Sequence, residues 1–278
     1  RILDIGCGAG HFGKTLKEKL CAEYVAGIEV EESIAKIAEK NLDKVLCGNI
    51  ENLDLPFEEN SFDLVTFCDV LEHLVDPLNT LKKVRRYIAP YGYVLASIPN
   101  VHYCEVIYQL TEGEWHYQDS GILDITHINL ISKNGLRKIL KKAGYLPLIV
   151  SPINIASENY IPRDKDNSLR IGKLTIENLS DEEYLELRAY QYVALAQKVP
   201  DDEGSLDELV NTLITEKNLE LLWELSEVNL EIPNWKKEAI KAKVYAHKGN
   251  LIKAQEIYTN LLNNYPQNPK LLLEYGIL

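Results

Sequence analysis

The first residues of the chain place one acid and three alternating glycines where a strand gives way to a helix. Asp4 lies in an apolar strand, and Gly6, Gly8 and Gly10 follow it. Glycines permit a tight turn and a close approach of the backbone to a ligand, and the first amides of the following helix can face that ligand. This spacing predicts a nucleotide-binding strand, turn and helix.

Two nucleotide-binding patterns compete for this loop. Residues 8–13 satisfy the G-x-G-x-x-G pattern of NAD and FAD proteins, but in those proteins the first glycine directly follows the strand. Counted from Gly6, the last glycine position of that pattern is His11. The placement of Asp4 two residues before Gly6 resembles the first motif of class I methyltransferases. That resemblance implies S-adenosylmethionine as the cofactor, with Asp4 holding its methionine end and Cys7 in the contacting loop.

Further positions match this resemblance along the next strands. Glu29 lies near the end of a predicted strand, where a carboxylate can accept both ribose hydroxyls. At Asn49, beside Ile50, the family usually has an Asp that accepts from the adenine amino group. The amide carbonyl of Asn49 can still accept, so we expect a weaker or differently oriented contact with adenine. Asp69 ends the fourth predicted strand and completes the expected cofactor-binding set.

Strands and helices alternate along the chain up to residue 199. Such alternation predicts an α/β fold with a doubly wound, mostly parallel sheet. The resemblance implies seven strands, of which the last two close the sheet as an antiparallel edge pair. Residues 157–175 are polar without a clear period, and we expect them to form a long mobile loop. We predict helices at 11–20, 31–41, 77–88, 132–143 and 180–188, and strands at 24–30, 44–48, 62–69, 92–98, 145–150 and 189–199.

Beyond residue 200 the apolar positions follow a purely helical period. We predict two domains, a Rossmann-like methyltransferase domain at 1–199 with a truncated N-terminus and a small all-α domain at 200–278. Within the second, about 235–268 resembles one tetratricopeptide repeat, and Gly276 fits a position of the next; a plain helical hairpin is the alternative. Because one repeat cannot bury its own face, we expect the array to continue and to bind a partner protein. The residues that fit the template are Ala242, Tyr245, Gly249, Ala254, Tyr258 and Pro266.

Composition limits the partners and the location. The 278 residues include 42 acids against 30 Lys and Arg, and the formal net charge of −12 disfavours nucleic acid as a substrate. No apolar stretch reaches the length of a membrane span. The five cysteines form no C-x-x-C pair, which indicates free thiols in a reducing compartment, and we expect a cytoplasmic protein.

The stretch between the fifth predicted strand and the helix at 132–143 is where the resembled fold places its acceptor. It is rich in aromatic, His and Asp side chains, which suit a polyol or a ring. The region resembles methyltransferase modules found beside glycosyltransferases and tetratricopeptide repeats in bacterial glycan loci, which implies a small-molecule or glycan acceptor. Those modules have Thr-His-Leu-Arg-Phe-Phe where residues 126–131 of this chain are Thr-His-Ile-Asn-Leu-Ile. The expected substrate residues are His102, Tyr103, Trp115, Tyr117 and Asp124.

Methyl transfer to a hydroxyl oxygen needs an in-line approach and a group that removes the proton. A neutral imidazole near the sulfonium is the natural base, and the expected catalytic residues are His73 and His127, ahead of His102 and His116. Two non-catalytic roles stay open. His73 can position the loop after the fourth strand, and His127 can orient the pocket because Asp124 and Thr126 are close enough in sequence to fix it.

Two other functions stay open at this point. Asp69, Glu72 and His73, with a distant His, resemble the metal-binding pattern of small-RNA 2′-O-methyltransferases, and ubiquinone-biosynthesis O-methyltransferases carry a similar stretch. Carboxylates with imidazole can hold a divalent ion that polarises a hydroxyl. The Glu-His-Leu triplet also occurs in methyltransferases without metal, and the charge opposes RNA, so we expect no metal. The other function is a non-catalytic scaffold whose repeats recruit partners, which the intact Asp4 and Glu29 argue against.

Overall fold

The computed structural model describes residues 1–230 and 232–277. Within them, strands and helices alternate along the first two thirds of the chain and helices alone follow. The strands are β1 (Ile2–Ile5), β2 (Val25–Glu29), β3 (Lys44–Cys47), β4 (Phe62–Cys68), β5 (Ile88–Pro99), β6 (Tyr145–Ile155), β7 (Leu169–Ile171), β8 (Leu174–Ile176) and β9 (Ala189–Lys198). The helices are α1 (His11–Leu20), α2 (Glu32–Ala38), α3 (Pro77–Arg85), α4 (Cys104–Glu112), α5 (Lys133–Lys142), α6 (Asp181–Arg188), α7 (Glu203–Thr215), α8 (Leu219–Ser226), α9 (Asn234–His247), α10 (Leu251–Asn264) and α11 (Pro269–Ile277). A short 3-10 helix, Leu71–His73, lies between β4 and α3.

Seven of the described strands form one sheet in the order β3-β2-β1-β4-β5-β9-β6. The pairs from β3 to β5 are parallel, and β9 runs antiparallel to both β5 and β6. Parallel strands joined by helical crossovers are covered on both faces, which is why all four residues of β1 are buried. The predicted doubly wound, mostly parallel sheet with an antiparallel pair at its end is confirmed.

Residues 157–175 do not form the single mobile loop that the sequence predicts. β7 and β8 pair antiparallel as a hairpin, with Gly172 in its turn at a φ of 56°. Leu169 and Ile171 are buried in a second apolar cluster that includes Val106 of α4. Strands of three residues are too short to show a period, so the sequence pattern does not reveal them.

The start of β5 and the end of α3 also differ from the sequence prediction. The helix ends at Arg85, and β5 begins at Ile88, four residues before the predicted start at 92. Ile88 is fully buried and pairs with Phe62 at the start of β4, so the sheet extends the strand backwards. α4 lies inside the expected acceptor stretch, where the sequence analysis assigned no helix.

The chain after residue 200 is helical, as predicted, in the part that the structure describes. Gly249 and Asn250 join α9 to α10, and the Asn250 side chain caps α10. Ala242 and Tyr258 share a small apolar cluster between these helices. No described helix has both the length and the apolar character that crossing a membrane requires. The tetratricopeptide assignment, its partner protein and the cytoplasmic location stay predictions.

The helices after β9 pack on the β6 edge of the sheet. Leu146 of β6 and Val199 lie in one apolar cluster with Leu206 of α7. Lys141 of α5 adds an ion pair of 2.9 Å to Glu224 of α8. The boundary predicted between residues 199 and 200 therefore crosses a shared apolar cluster, and the division into two domains stays a prediction.

Candidate active site

The glycine loop after β1 turns sharply into α1. Gly6 and Gly10 have positive φ angles of 67° and 78°, and Gly10 is the N-cap of α1. A Cβ on Gly6 would lie 2.5 Å from Val70 Cγ2, and one on Gly10 would lie 3.0 Å from Leu42 Cγ. Both positions therefore need glycine, for their backbone conformation and for close contact with the segments after β4 and α2.

A cavity of about 400 Å³ opens at the carboxyl ends of β1, β2 and β4. This is the edge at which open α/β sheets bind ligands, and the volume lies in the range of small-molecule sites. Much of the wall is apolar, with Ile5, Ile28 and Val70 among its residues. The structure brings together on this wall six residues that the sequence singled out, which are Gly6, Glu29, Asn49, Ile50, Asp69 and His73.

Glu29, at the end of β2, is held by the backbone of two neighbouring segments. Its Oε2 accepts a hydrogen bond from Gly8 N at 2.9 Å, and its Oε1 accepts one from Glu31 N at 3.0 Å. A carboxylate has about four accepting positions, so both oxygens can still accept from hydroxyl groups in the cavity. The side chain is therefore positioned in advance for a ligand with hydroxyls.

Asn49 lies in the loop after β3. Its Oδ1 accepts from Glu51 N at 2.8 Å, so one lone pair of the amide oxygen is already used. The predicted contact between Asn49 and adenine stays a prediction. The sequence pattern does not single out Glu51, whose carboxylate accepts from Val75 N at 3.2 Å and Asp76 N at 2.8 Å. These hydrogen bonds connect Glu51, on the cavity wall after β3, to the segment before α3.

Asp4 is buried in β1 next to the glycine loop. The parallel register sets it beside Thr66 of β4, whose hydroxyl donates to Asp4 Oδ1 at 2.5 Å. Asp4 Oδ2 is buried and has no hydrogen-bond partner among the described residues. Burial raises the pKa of Asp4 to about 6, the Thr66 bond opposes that rise, and the Glu29 carboxylate adds to it. A cationic group would stabilise this carboxylate.

Asp69 follows β4 at a φ of 54°, and two side chains that the sequence pattern does not reveal hold it. Ser97 Oγ of β5 donates to Asp69 Oδ1 at 2.8 Å. Gln191 Nε2 of β9 donates to the two carboxylate oxygens at 2.9 and 3.0 Å, and Asn154 Nδ2 of β6 donates to Gln191 Oε1 at 2.5 Å. Gln191 and Asn154 reach this site because β9 pairs between β5 and β6, which the sequence pattern does not show.

His73 lines the cavity, and His127 packs edge-on against it with the ring centroids 4.7 Å apart. His73 Nδ1 donates to Thr126 O at 3.2 Å, and His127 Nδ1 donates to Ile122 O at 2.9 Å. Because a carbonyl oxygen only accepts, each neutral imidazole carries its proton on Nδ1 and keeps a free lone pair on Nε2. The two histidines predicted to be catalytic therefore lie together in a form that can accept a proton.

The structure corrects how His127 is held. Asp124 Oδ1 accepts from Thr126 N at 2.8 Å and from Thr126 Oγ1 at 2.7 Å, and these bonds hold the pKa of Asp124 below its ordinary value. The backbone carbonyl of Ile122, and not Asp124 or Thr126, accepts from the His127 ring. The Thr126 carbonyl instead positions His73, so the segment around residue 126 is tied to the loop after β4.

Glu72 is buried beside these histidines. It is 1% exposed, and neither carboxylate oxygen has a hydrogen-bond partner among the described residues. Burial raises the pKa of Glu72 to about 8, and Asp69 adds to that rise. One possible ligand atom each from Glu72, His73 and His127 lies within 4.8 Å of the other two. Asp69, which the sequence pattern groups with Glu72 and His73, is not part of this cluster in the described chain.

A protein family described as a methyltransferase domain matches residues 1–148, more than half of the chain. The chain belongs to this methyltransferase domain family. The prediction of a class I, S-adenosylmethionine-dependent methyltransferase domain is therefore confirmed, and S-adenosylmethionine is its cofactor.

Relatives agree with this assignment. The ubiquinone biosynthesis O-methyltransferase of Acinetobacter baylyi is 28% identical over 106 residues, which are 36% of this chain and 44% of that protein. The demethylmenaquinone methyltransferase of Staphylococcus aureus is 25% identical over 194 residues, 60% of this chain and 78% of that protein. A solved S-adenosylmethionine-dependent methyltransferase of Archaeoglobus fulgidus shares the fold, with a TM-score of 0.51, 21% identity and coverage of 71% of this chain and 86% of that one. The chain spans about half, or less, of the length of the first curated relatives that it matches.

The cavity of the methyltransferase domain fits S-adenosylmethionine. Glu29 offers acceptors to the ribose hydroxyls, and Ile28 and Ile50 offer apolar surface to the base. The buried, unpaired Oδ2 of Asp4 suits a cofactor that carries an ammonium group at its methionine end. The assignment of each residue to one part of the cofactor stays a prediction.

Four residues predicted to bind the cofactor do not line the described cavity, and these are Asp4, Cys7, Gly8 and Gly10. Cys7 is buried, and burial raises the pKa of its thiol to about 12. Gly8 N donates to Glu29, and Gly10 N donates to Cys7 O at 2.9 Å. These residues shape the loop, and their direct contact with the cofactor stays a prediction.

The predicted substrate residues do not meet at the cavity. Tyr103 is 6% exposed and packs edge-on against Tyr190 with the ring centroids 5.5 Å apart, so it belongs to the second apolar cluster and offers little surface to an acceptor. His102 and Tyr117 are exposed, and Trp115 is half-buried. None of these four lines the described cavity wall, and a role for the exposed ones in acceptor binding stays a prediction.

Proposed function

We propose that the domain transfers the methyl group of S-adenosylmethionine to a hydroxyl oxygen of a small-molecule or glycan acceptor. The observation that carries this proposal is the pair of imidazoles at the cavity. His73 lines the wall, and both His73 and His127 keep a free Nε2 lone pair. A hydroxyl oxygen needs such a base within hydrogen-bond reach when it attacks carbon.

S-adenosylmethionine supplies the methyl group from its sulfonium centre. The Nε2 of a histidine would take up the proton that the acceptor hydroxyl loses to become the methylated oxygen, and S-adenosylhomocysteine would be the other product. Thr126 O accepts from His73 Nδ1 throughout, and this bond stabilises the imidazolium that results. In this proposal Glu29 and the buried Asp4 would hold the cofactor, and the histidines would serve the acceptor.

The relatives support a small-molecule acceptor. One is named for O-methylation in ubiquinone biosynthesis and another for methylation of demethylmenaquinone. The glycan alternative rests on the sequence resemblance of the stretch before α5. An RNA acceptor has less support, because the net charge is −12 and no residue lining the described cavity is Lys or Arg.

The test is a methyl-transfer assay on the full chain with catechols, phenols and sugars as acceptors. His73→Gln removes the base, so we expect kcat to fall at least about 100-fold. The dissociation constant of S-adenosylmethionine, measured by calorimetry, should change less than about threefold in the same variant. His247→Gln is the matched control, because His247 is exposed on α9 and does not line the cavity, and its kcat should stay within about twofold of the parent.

Other outcomes of this assay would contradict the proposal in different ways. A chain that binds S-adenosylmethionine but methylates no acceptor would favour the non-catalytic scaffold. Products methylated only at carbon or nitrogen would overturn the hydroxyl acceptor. An undiminished kcat in His73→Gln and in the matching His127→Gln would show that neither imidazole takes the proton.

A further inference from the structure

A cluster of three side chains lies beside the cavity and consists of Glu72, His73 and His127. A role as proton acceptor accounts for the histidines but not for the buried Glu72 next to them. We propose that these three side chains bind one divalent transition-metal ion beside the cofactor cavity. Their ligand atoms already lie within 4.8 Å of one another. Metal-to-ligand distances for such atoms are about 2.1 Å, so small side-chain adjustments would let one ion contact all three.

The first argument is the state of the Glu72 carboxylate. It is 1% exposed, and both of its oxygens lack a hydrogen-bond partner among the described residues. A buried carboxylate without a partner is costly, and natural proteins pair such groups with cations or metals. No Lys or Arg lines the described cavity, whereas Glu29, Glu51 and Asp69 do, so the surroundings favour a positive ion.

The second argument is the orientation of the imidazoles. His73 Nδ1 donates to Thr126 O, and His127 Nδ1 donates to Ile122 O. Metal-binding histidines characteristically donate their other ring N–H to a carbonyl or carboxylate, which fixes the tautomer and directs the free lone pair at the ion. Both rings have this arrangement, on segments that lie far apart in the sequence.

The donor set indicates the kind of ion. Two imidazoles with one carboxylate suit Zn²⁺, Mn²⁺, Fe²⁺, Co²⁺ or Ni²⁺, whereas Mg²⁺ prefers oxygen ligands. His127 fills the position of the distant His in the sequence motif, whereas Asp69 is not among the clustered ligands of the described residues. The sequence predicts no metal, and it does not show which distant His lies beside Glu72 and His73.

Three protein ligands leave coordination positions open for a further oxygen. An ion held there would lower the pKa of an acceptor hydroxyl that binds it, and the proton would leave to solvent. This consequence rests on the proposed function, whereas the binding of the ion does not. In the metal-loaded domain the two Nε2 atoms are ligands, so the ion takes over the role proposed for the histidine base.

The test uses the full, untagged chain after dialysis against a chelator. Zn²⁺, Mn²⁺ and Mg²⁺ are titrated separately by calorimetry, and free Mn²⁺ is also followed by electron paramagnetic resonance. We expect one Zn²⁺ or Mn²⁺ per chain, bound at least about 100-fold more tightly than Mg²⁺. Glu72→Gln, His73→Gln and His127→Gln should each weaken binding at least about 30-fold, and His102→Gln should leave it within about twofold.

Circular dichroism and thermal melts show which variants fold, and the two histidine variants carry the test if Glu72→Gln does not. The absence of Zn²⁺ and Mn²⁺ binding, or binding that every variant retains, overturns the inference. Titration of S-adenosylmethionine into the same metal-free samples separates the two proposals. Cofactor binding without metal binding overturns only the metal site, and metal binding without cofactor binding supports the site and counts against the proposed function.

Discussion

The half of the cavity that we propose for the cofactor and the half that we propose for the acceptor are built in different ways, and they are called the cofactor half and the acceptor half below. The cofactor half consists of Gly6, Glu29, Asn49 and Asp69, each just after a strand of the parallel sheet or at its end. The proposed acceptor half consists of His73 on the cavity wall after β4, with the buried Glu72 and with His127 from the segment before α5 next to it. Thr126 O and His73 Nδ1, 53 positions apart in sequence, join the two segments. The residues at strand ends can be located from the sequence pattern, because each belongs to one strand and its turn. The contacts between distant loops cannot be located in this way.

Among these predictions, Glu29→Ala should have the largest effect. That effect should be a loss of cofactor affinity that is limited to the cofactor half. The change removes the acceptors for two hydroxyl groups, each worth about 1.5–3 kcal/mol for a charged partner, so affinity for S-adenosylmethionine should fall at least about 100-fold by calorimetry. Glu32→Ala is the control, because Glu32 is exposed and, among the described residues, forms its ion pair with Lys36 four residues on. A fall of less than about tenfold for Glu29→Ala would show that Glu29 does not bind the ribose.

Asp4→Asn should change stability in a pH-dependent way. The folded-state pKa of about 6 exceeds the ordinary value of 3.8, so the contribution of Asp4 to stability is complete below pH 3.8 and is lost as the pH rises to about 6. Asparagine does not titrate. The free energy of unfolding of Asp4→Asn, relative to the parent, should therefore rise by about 2.4 kcal/mol between pH 4 and pH 7, measured by urea denaturation. If the difference in unfolding free energy between Asp4→Asn and the parent does not vary with pH, burial does not raise the pKa of Asp4.

Leu169→Ala should have the smallest effect and should spare the cofactor half. Leu169 is 1% exposed in the cluster beneath the β7 and β8 hairpin, and its loss should cost about 2 kcal/mol, because a surface hairpin can partly close over the space. Hydrogen exchange should speed up in residues 157–176 while the affinity for S-adenosylmethionine stays unchanged. Leu174→Ala, at a position 54% exposed on β8, is the control. A loss of cofactor affinity in Leu169→Ala would show that the two halves are coupled.

Much of the cofactor half could be predicted because its signals are local. Gly6 and Gly10 occupy positions where the turn and the packing exclude a Cβ, and Glu29 ends a strand whose apolar residues are continuous. The partners of these residues could not be predicted. Thr66 reaches Asp4 through the register of β1 and β4, and Gln191 reaches Asp69 because β9 inserts between β5 and β6.

The residues of the acceptor half were harder to predict. An aromatic, His or Asp side chain can bind a ligand or pack in a core, and its residue type does not show which. Tyr103 has the composition of a binding residue but is packed against Tyr190. Asp124 is close to His127 in sequence, yet it bonds Thr126 and leaves the ring to Ile122 O. Short elements such as β7 and β8 show no period, so their burial is decided by the α4 face that they cover.

The sequence by itself determined the alternating α/β fold, the glycine loop and the cofactor. These follow from the period of apolar residues and from spacings within single strand and turn units, which physical chemistry restricts locally. Only the tertiary structure decided that His73 meets His127 beside the buried Glu72, and that the helices after β9 share a core with β6. Those contacts join segments far apart in the chain, and their formation depends on how the whole sheet and its loops pack.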